Sequence, residues 1–269
     1  MNARHRRLNH LETFLEWQRQ TDTHLSVAGE PFWTDEQGRP APNDEVKDIA
    51  NGYCAQYGLP APNHSVYVDV DQQRAGRIAD GYDALPKDDS KNPGVAAAYK
   101  ALAKECQQQF RWAQARGMKF SPAQGDPYDG NVFEVVADIR NNHHLEFYKG
   151  GKPNIFMSEK DDKTGWPFNW LFRAVHDYYG HSAIGADFGP VGETNAWVQH
   201  MQMFTPTAQK ALTTETLGQN NWTNFGRQNY DKDGNYKNIP PSARPFADQK
   251  TAIFSGEYEW VNELPPGVR

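Results

Sequence analysis

Disulfide chemistry has almost nothing to work with in this chain. Its 269 residues include two cysteines, Cys54 and Cys106, too few and too isolated for a disulfide framework or a cysteine-based zinc site. Both fall in expected helices among apolar neighbours, as small buried hydrophobes in a reducing cytosol would. Long apolar runs are missing too. None approaches the ~20 residues that span a bilayer, and the first residues lack the apolar centre of a signal peptide, so a soluble, intracellular protein without membrane partners is expected. Charge of one sign is scarce: 34 acidic against 28 basic side chains, net −6, which argues against a general nucleic-acid binder. The basic opening Arg4-His5-Arg6-Arg7 reads as a solvated end. A Gly-rich nucleotide loop is absent, because Lys149-Gly-Gly-Lys152 lacks the spacing.

Aromatic side chains are plentiful. With 8 Trp, 12 Tyr and 14 Phe, a polar chain can still close a core, because each ring buries a large area. The pattern predicts a mostly α (α+β) fold, a helical single domain with a small β-hairpin. Residues 1–70 form an N-terminal helical layer on a metal-site domain of residues 71–269, as two units or one continuous domain. Helices are expected over Leu8–Gln20, from the cap Asn43 to Gly58, over Gln72–Leu85, and from Asn92-Pro93 to Gly117, the last with Val95, Tyr99, Leu102, Cys106, Phe110 and Ala113 as its buried stripe. Further helices are expected over Val132–Arg140, Phe168–Tyr179, Glu193–Phe204, Pro206–Leu217 and Phe246–Val261. Ser65–Val70 reads as a short strand or extended piece. Leu145–Tyr148 and Asn154–Met157, joined through Gly150-Gly151, make the hairpin. Gly218–Pro245 reads as a long polar loop with a binding or lid role.

One stretch looks like chemistry: Phe172-Arg-Ala-Val-His176-Asp-Tyr-Tyr-Gly-His181, followed by Glu193. Two histidines and a carboxylate can hold a divalent metal and leave positions open. That arrangement suits non-haem iron(II) oxygenases, with three-ligand zinc as the competitor. On a continuous helix His176 and His181 would diverge by roughly 140°. Gly180 is expected to resolve this by a left-handed turn that swings His181 back. Glu193 opens the next helix, where a carboxylate is also favoured by the dipole alone. His200, seven residues on, is either a third histidine ligand or a partner orienting Glu193. Asp177 stands where HExxH zinc proteases carry their base, but the second histidine comes one residue too late for that geometry.

Other polar residues are candidates for substrate. Gln219, Asn220 and Asn221 can read the edge of a flat polar ligand while Trp222 stacks on it; capping and turns account for the same residues. Arg173 pairs either with a substrate carboxylate or phosphate, or with Glu193 or Asp177. Glu215 and Asp177 are candidate bases. Tyr178 and Tyr179 read as packing.

His176-Asp-Tyr-Tyr-Gly-His181 resembles the His-Glu-x-x-Gly-His motif of the pterin-dependent aromatic amino acid hydroxylases, mostly α enzymes that hold iron(II) with that pair and a later Glu. The resemblance covers the motif alone. The family's Glu comes much further along, and its Thr-Pro-Glu-Pro has no counterpart at Asn169-Trp-Leu-Phe-Arg173, so it implies a metal geometry and neither pterin nor an amino acid substrate. A longer resemblance spans most of residues 72–261. Ala79-Asp-Gly-Tyr-Asp-Ala-Leu-Pro86, Gly125-Asp-Pro-Tyr128, Leu171–His181, Gly192-Glu-Thr-Asn-Ala-Trp197 and Thr213-Thr-Glu-Thr-Leu-Gly-Gln-Asn-Asn-Trp222 are similar to an uncharacterised bacteriophage family, also a domain of large polyvalent phage proteins. It implies a viral origin and the cytoplasm of an infected bacterium, and no reaction.

Three functions follow as expectations. The first is an iron(II) hydroxylase or oxygenase acting on a small polar or nucleobase-like substrate, its cosubstrate (pterin, 2-oxo acid or none) left open. The second is a zinc hydrolase with Asp177 or Glu215 as base. The third is a non-enzymatic phage module that binds a host partner.

Overall fold

The computed structural model describes residues 42–237, 239–240, 243–265 and 268. The expected helix at Leu8–Gln20 and the basic cluster at Arg4–Arg7 lie outside them. The described residues are mostly α, as the periodicity predicts, with a single two-stranded sheet among them.

Local signals set most helix ends. Helix α1 (Asp44–Tyr57) starts where Asn43 Oδ1 accepts from the Val46 amide, and stops at Gly58, whose φ of 69° suits a residue without Cβ. Helix α2 (Gln72–Ala84) is capped by Asp71. Helix α3 (Pro93–Gln114) is capped by Asn92, with Pro93 in its first turn. Its expected stripe is buried throughout, and both cysteines are buried and free.

The small sheet differs from expectation. Strand β1 (Lys119–Ala123) pairs in parallel with β2 (His144–Tyr148), Lys119 opposite His144, and helix α4 (Val132–Asn142) makes the crossover that parallel strands require. Residues 154–157, the expected second arm of a hairpin, turn instead. Asn154 Oδ1 accepts from the amides of Phe156 and Met157, both at 3.1 Å, and takes donors a strand would have offered a neighbour. Side chains lock β1, β2 and α4 together: Ser121 Oγ lies 2.7 Å from His144 Nε2, and His144 Nδ1 lies 2.8 Å from Asp138 Oδ2.

Helix α5 (Phe168–His176) runs directly into a π-helical turn, Asp177–Ser182, and helix α6 (Pro190–Met201) packs on that turn. Helix α7 (Pro206–Thr213) runs into a second π turn, Thr214–Gly218, and then into helix α8 (Gln219–Phe225). The start of the expected Gly218–Pro245 loop is therefore helical. The expected helix at Phe246–Val261 is irregular chain with one bridge at Thr251, ending in a 3-10 turn, Gly256–Asn262. Thr251 instead exchanges backbone hydrogen bonds with Lys87 and Asp89, and Gly256 has a φ of 59° that a helix does not use.

Helix α3 lies against α5 and α7, and α2 lies against α8. Val46, Tyr53 and Cys54 of α1 enter the same core as Leu102, Phe110, Val175 and Trp197. Ser65 lies in a turn, and residues 66–70 have no regular structure and pair with no strand. Asn195 of α6 clamps them, accepting from the Val68 amide at 2.6 Å and donating to the Val68 carbonyl at 2.9 Å.

Candidate metal centre

His176, His181 and Glu193 converge. Each offers one ligand atom within 4.8 Å of the others, the only such group of three among the described residues. Glu193 Oε2 stands 3.8 Å from His176 Nε2 and 3.6 Å from His181 Nε2. The imidazoles meet nearly at right angles, centroids 5.2 Å apart.

The device that aligns the histidines is not the left-handed glycine turn. Gly180 is absent from the positive-φ residues; it sits inside the right-handed π turn. Hydrogen bonding there runs i→i+5, which brings residues five apart onto one face, and His176 and His181 are five apart. Gly180 matters for space. A Cβ there would stand 3.0 Å from the Ala196 carbonyl oxygen and 3.3 Å from His176 Nδ1. The missing side chain lets α6, which carries Glu193, approach the turn.

The hydrogen bonds on the far sides of the rings fix the tautomers. His181 Nδ1 lies 3.0 Å from the Ala186 carbonyl oxygen, so Nδ1 carries a proton and Nε2 is the nitrogen that faces Glu193. For His176 the same result is reached through a relay. Gln109 donates from Nε2 to the Met203 carbonyl, which orients its amide and leaves Oε1 as the acceptor 2.7 Å from His200 Nε2. His200 therefore carries its proton on Nε2 and accepts at Nδ1 from His176 Nδ1, at 3.1 Å. Both His200 nitrogens are engaged, so His200 is no ligand. It orients His176, not Glu193. Second-sphere partners of this kind raise ligand basicity and fix ring orientation.

What remains is a pair of buried nitrogens, His176 Nε2 and His181 Nε2, without a hydrogen-bond partner. Leaving such atoms unpaired costs about 1–3 kcal/mol each. Two imidazole lone pairs and a carboxylate are a donor set for a divalent cation. Ligand atoms about 2.1 Å from a shared metal and roughly 90–110° apart stand about 3.0–3.4 Å from one another. The two histidine–carboxylate separations, 3.6 and 3.8 Å, exceed that by a few tenths of an ångström, and all three ligand atoms lie within 4.8 Å of one another, so the residues present fit the group.

Without a cation, Glu193 and His181 hold each other charged, as an imidazolium–carboxylate pair that a metal would replace. Burial pushes the Glu193 carboxyl up, but the two histidines outweigh it and hold it well below its ordinary value. Burial pulls His181 down, and Glu193 and Asp177 reverse that and hold it at about 9. His176 is lowered, chiefly by burial, against the pull of Glu193. Burial drives His200 well down, which keeps it neutral in the relay. Asp177 is raised by burial to about 7.

A pocket of about 130 Å³ opens beside the cluster, against the ~10–15 Å³ that one water needs. Its lining includes His176, Glu193, Arg173, Asp177 and Glu215, and of the four expected substrate residues only Gln219 and Asn220. Asn221 and Trp222 do not line it. Asn221 is buried and donates to the Leu217 carbonyl, and Trp222 Nε1 donates to Asp83. Helical winding of α8 is the reason: Asn220, Thr223 and Asn224, at i, i+3 and i+4, share the pocket face. That spacing was a readable signal once the segment is taken as helix. Asn220 donates to the Pro190 carbonyl and accepts from Asn224, whose Oδ1 takes a bond from Arg244. These amides build the wall. Glu215 accepts from Tyr99, Asn154 and Gln249. Burial raises its pKa against those bonds. Tyr178 and Tyr179 are buried packing.

No family model, no curated protein and no solved structure matches the chain. No helix among the described residues is long and apolar enough to cross a membrane.

Proposed function

We propose that this chain is a metal-dependent enzyme, a non-haem iron(II) hydroxylase or oxygenase of bacteriophage origin, acting on a small polar or nucleobase-like substrate. The observation that carries the reading is the pair of buried, unpartnered Nε2 atoms facing Glu193. A two-histidine, one-carboxylate face leaves adjacent positions open, and iron(II) in such a face supplies oxygen chemistry. The chain's own residues hold the ligands in register: the π turn aligns the imidazoles, Gln109 and His200 set the His176 tautomer, and Phe172, Phe188 and the α8 wall shape the space beside them.

A zinc hydrolase is the second reading, and one observation favours it. Asp177 lines the pocket next to the ligand cluster. A carboxylate beside metal-bound water is placed to act as its general base.

Metal analysis of protein purified without a His tag separates the two. Stoichiometric iron with oxygen consumption is expected; zinc with no oxygen uptake turns the assignment to the hydrolase. A chain that takes up neither metal, and whose His176→Ala and His181→Ala variants differ from it only in stability, would refute both.

A further inference from the structure

The pocket beside the ligand cluster contains one basic side chain, and no carboxylate bridges it. Arg173 sits one turn before His176 on α5, lines the pocket, and has a buried Nε without a hydrogen-bond partner. It forms no ion pair among the described residues. Asp177, four residues on, is the opposite charge that acts on it most, yet makes no ion pair with it, and the other two pocket carboxylates are occupied elsewhere. Glu193 faces the two histidines, and Glu215 Oε1 takes bonds from Tyr99 and Gln249 at 2.8 Å and from Asn154 at 2.9 Å. Of the seven buried side-chain atoms without partners among the described residues, three belong to Arg173, His176 and His181. The unmet hydrogen-bonding capacity is thus concentrated at this one place. The Arg173 guanidinium lies 5.4 Å from the centroid of the Tyr148 ring. Stacking engages the face of a guanidinium and leaves its in-plane N–H edge for a planar, two-oxygen partner.

We propose that Arg173 binds the carboxylate of a small organic acid, substrate or co-substrate, and holds the rest of that molecule against the metal-facing wall of the pocket. The inference rests on the metal reading above for what happens to the bound acid, and on Arg173 alone for its recognition. A carboxylate is favoured over a phosphate because one guanidinium matches one negative charge, and the neighbouring amides Asn220 and Asn224 already spend their donors on the protein. Phe172 and Phe188 offer an apolar wall for the acid's carbon chain.

Calorimetric titration of the full chain, metal-free and loaded with Co(II), with propionate, propionamide, pyruvate and inorganic phosphate tests this. Propionate is expected to bind roughly 30-fold or more tightly than propionamide, a comparison that needs no variant. Arg173→Gln is expected to erase the acid–amide difference, and Arg173→Lys to retain part of it. Pyruvate binding more tightly than propionate only in the Co(II)-loaded protein marks a chelating co-substrate; equal binding of the two marks a simple acid. Three results would overturn the proposal: propionamide binding as well as propionate, phosphate outcompeting both acids, or propionate binding undiminished in Arg173→Gln. If Co(II) does not bind while the acid–amide difference persists, the metal reading fails and the carboxylate site stands. If Co(II) binds without any such difference, the reverse holds.

Discussion

At the scale of single residues, the side chain that does most for the candidate metal centre without touching its three residues is Gln109. Its Oε1 determines which His200 nitrogen carries the proton, and through His200 which nitrogen of His176 is free. Gln109→Met removes that acceptor at similar volume. His200 can then place its proton on Nδ1, which moves the His176 proton to Nε2, the nitrogen a metal needs. The expected result is a loss of metal affinity of roughly 10–100-fold, with the fold intact by circular dichroism and the metal measured by competitive chelator titration. Unchanged affinity would show that the relay is packing only. The convergence of His176, His181 and Glu193 was readable from sequence because the three lie close together along the chain. Gln109 was not, since its contact with His200 spans 91 positions and a glutamine in a helical stripe carries no chemical signature. Arg173 was legible as a charged residue near the motif, but its lack of a partner is a property of packing.

At the scale of elements, the π turn is the decisive feature and also the least legible one. No residue type announces a shift from i→i+4 to i→i+5 bonding, whereas the caps Asn43 and Asn92, Pro93 and Gly58 act within one turn and can be read directly. The hairpin expectation failed for a similar reason. Alternation in Leu145–Tyr148 indicates a strand but not its partner, and the partner lies across a helical crossover at Lys119–Ala123. Two predictions belong here. Gly180→Ala places a Cβ 3.0 Å from a backbone oxygen of α6, which cannot rotate away; a cost of about 1–3 kcal/mol and a weaker metal site are expected, since α6 must shift Glu193. Urea denaturation and metal titration of the same variant check both parts. The second concerns the loop that enters α5. Asp161, wholly buried, accepts from Arg111, Gln107, and both the amide and hydroxyl of Thr164. Burial alone would raise its pKa, but those bonds outweigh it and hold it below the ordinary 3.8. A depressed carboxyl stabilises the fold above its unfolded pKa and loses that contribution as pH falls toward the folded value. Asp161→Asn is therefore expected to cost about 3 kcal/mol at pH 7, with the gap to the native chain narrowing once pH drops below about 4. A gap that persists undiminished in acid would mean the ionised form is not what α3 and the loop hold.

At the scale of the whole molecule, the candidate site is where separate parts of the chain are tied together. The π turn supplies both histidines, α6 the carboxylate, α3 the Gln109 acceptor, and the second π turn with α8 the far wall of the pocket. A cation bound there links segments that the unfolded chain does not hold in register, so it binds the folded state and scarcely the unfolded one. Mass action then fixes the size of the effect: metal at about 100 times its dissociation constant adds about 2.7 kcal/mol. For a chain of this size each kcal/mol moves the melting temperature by roughly 2–4 °C, so a rise of about 5–10 °C is expected on loading and should reverse with chelator. The same titration on His181→Ala should show almost no rise over that variant's own metal-free melting temperature, because one of three ligands is gone; the lost contact with Phe188 and bond to Ala186 lower both of its melting temperatures alike. Should both proteins respond equally, the stabilising cation sits elsewhere, and the convergence of His176, His181 and Glu193 would have to be understood as an ion pair between a charged imidazole and a carboxylate that closes the contact between the π turn and α6.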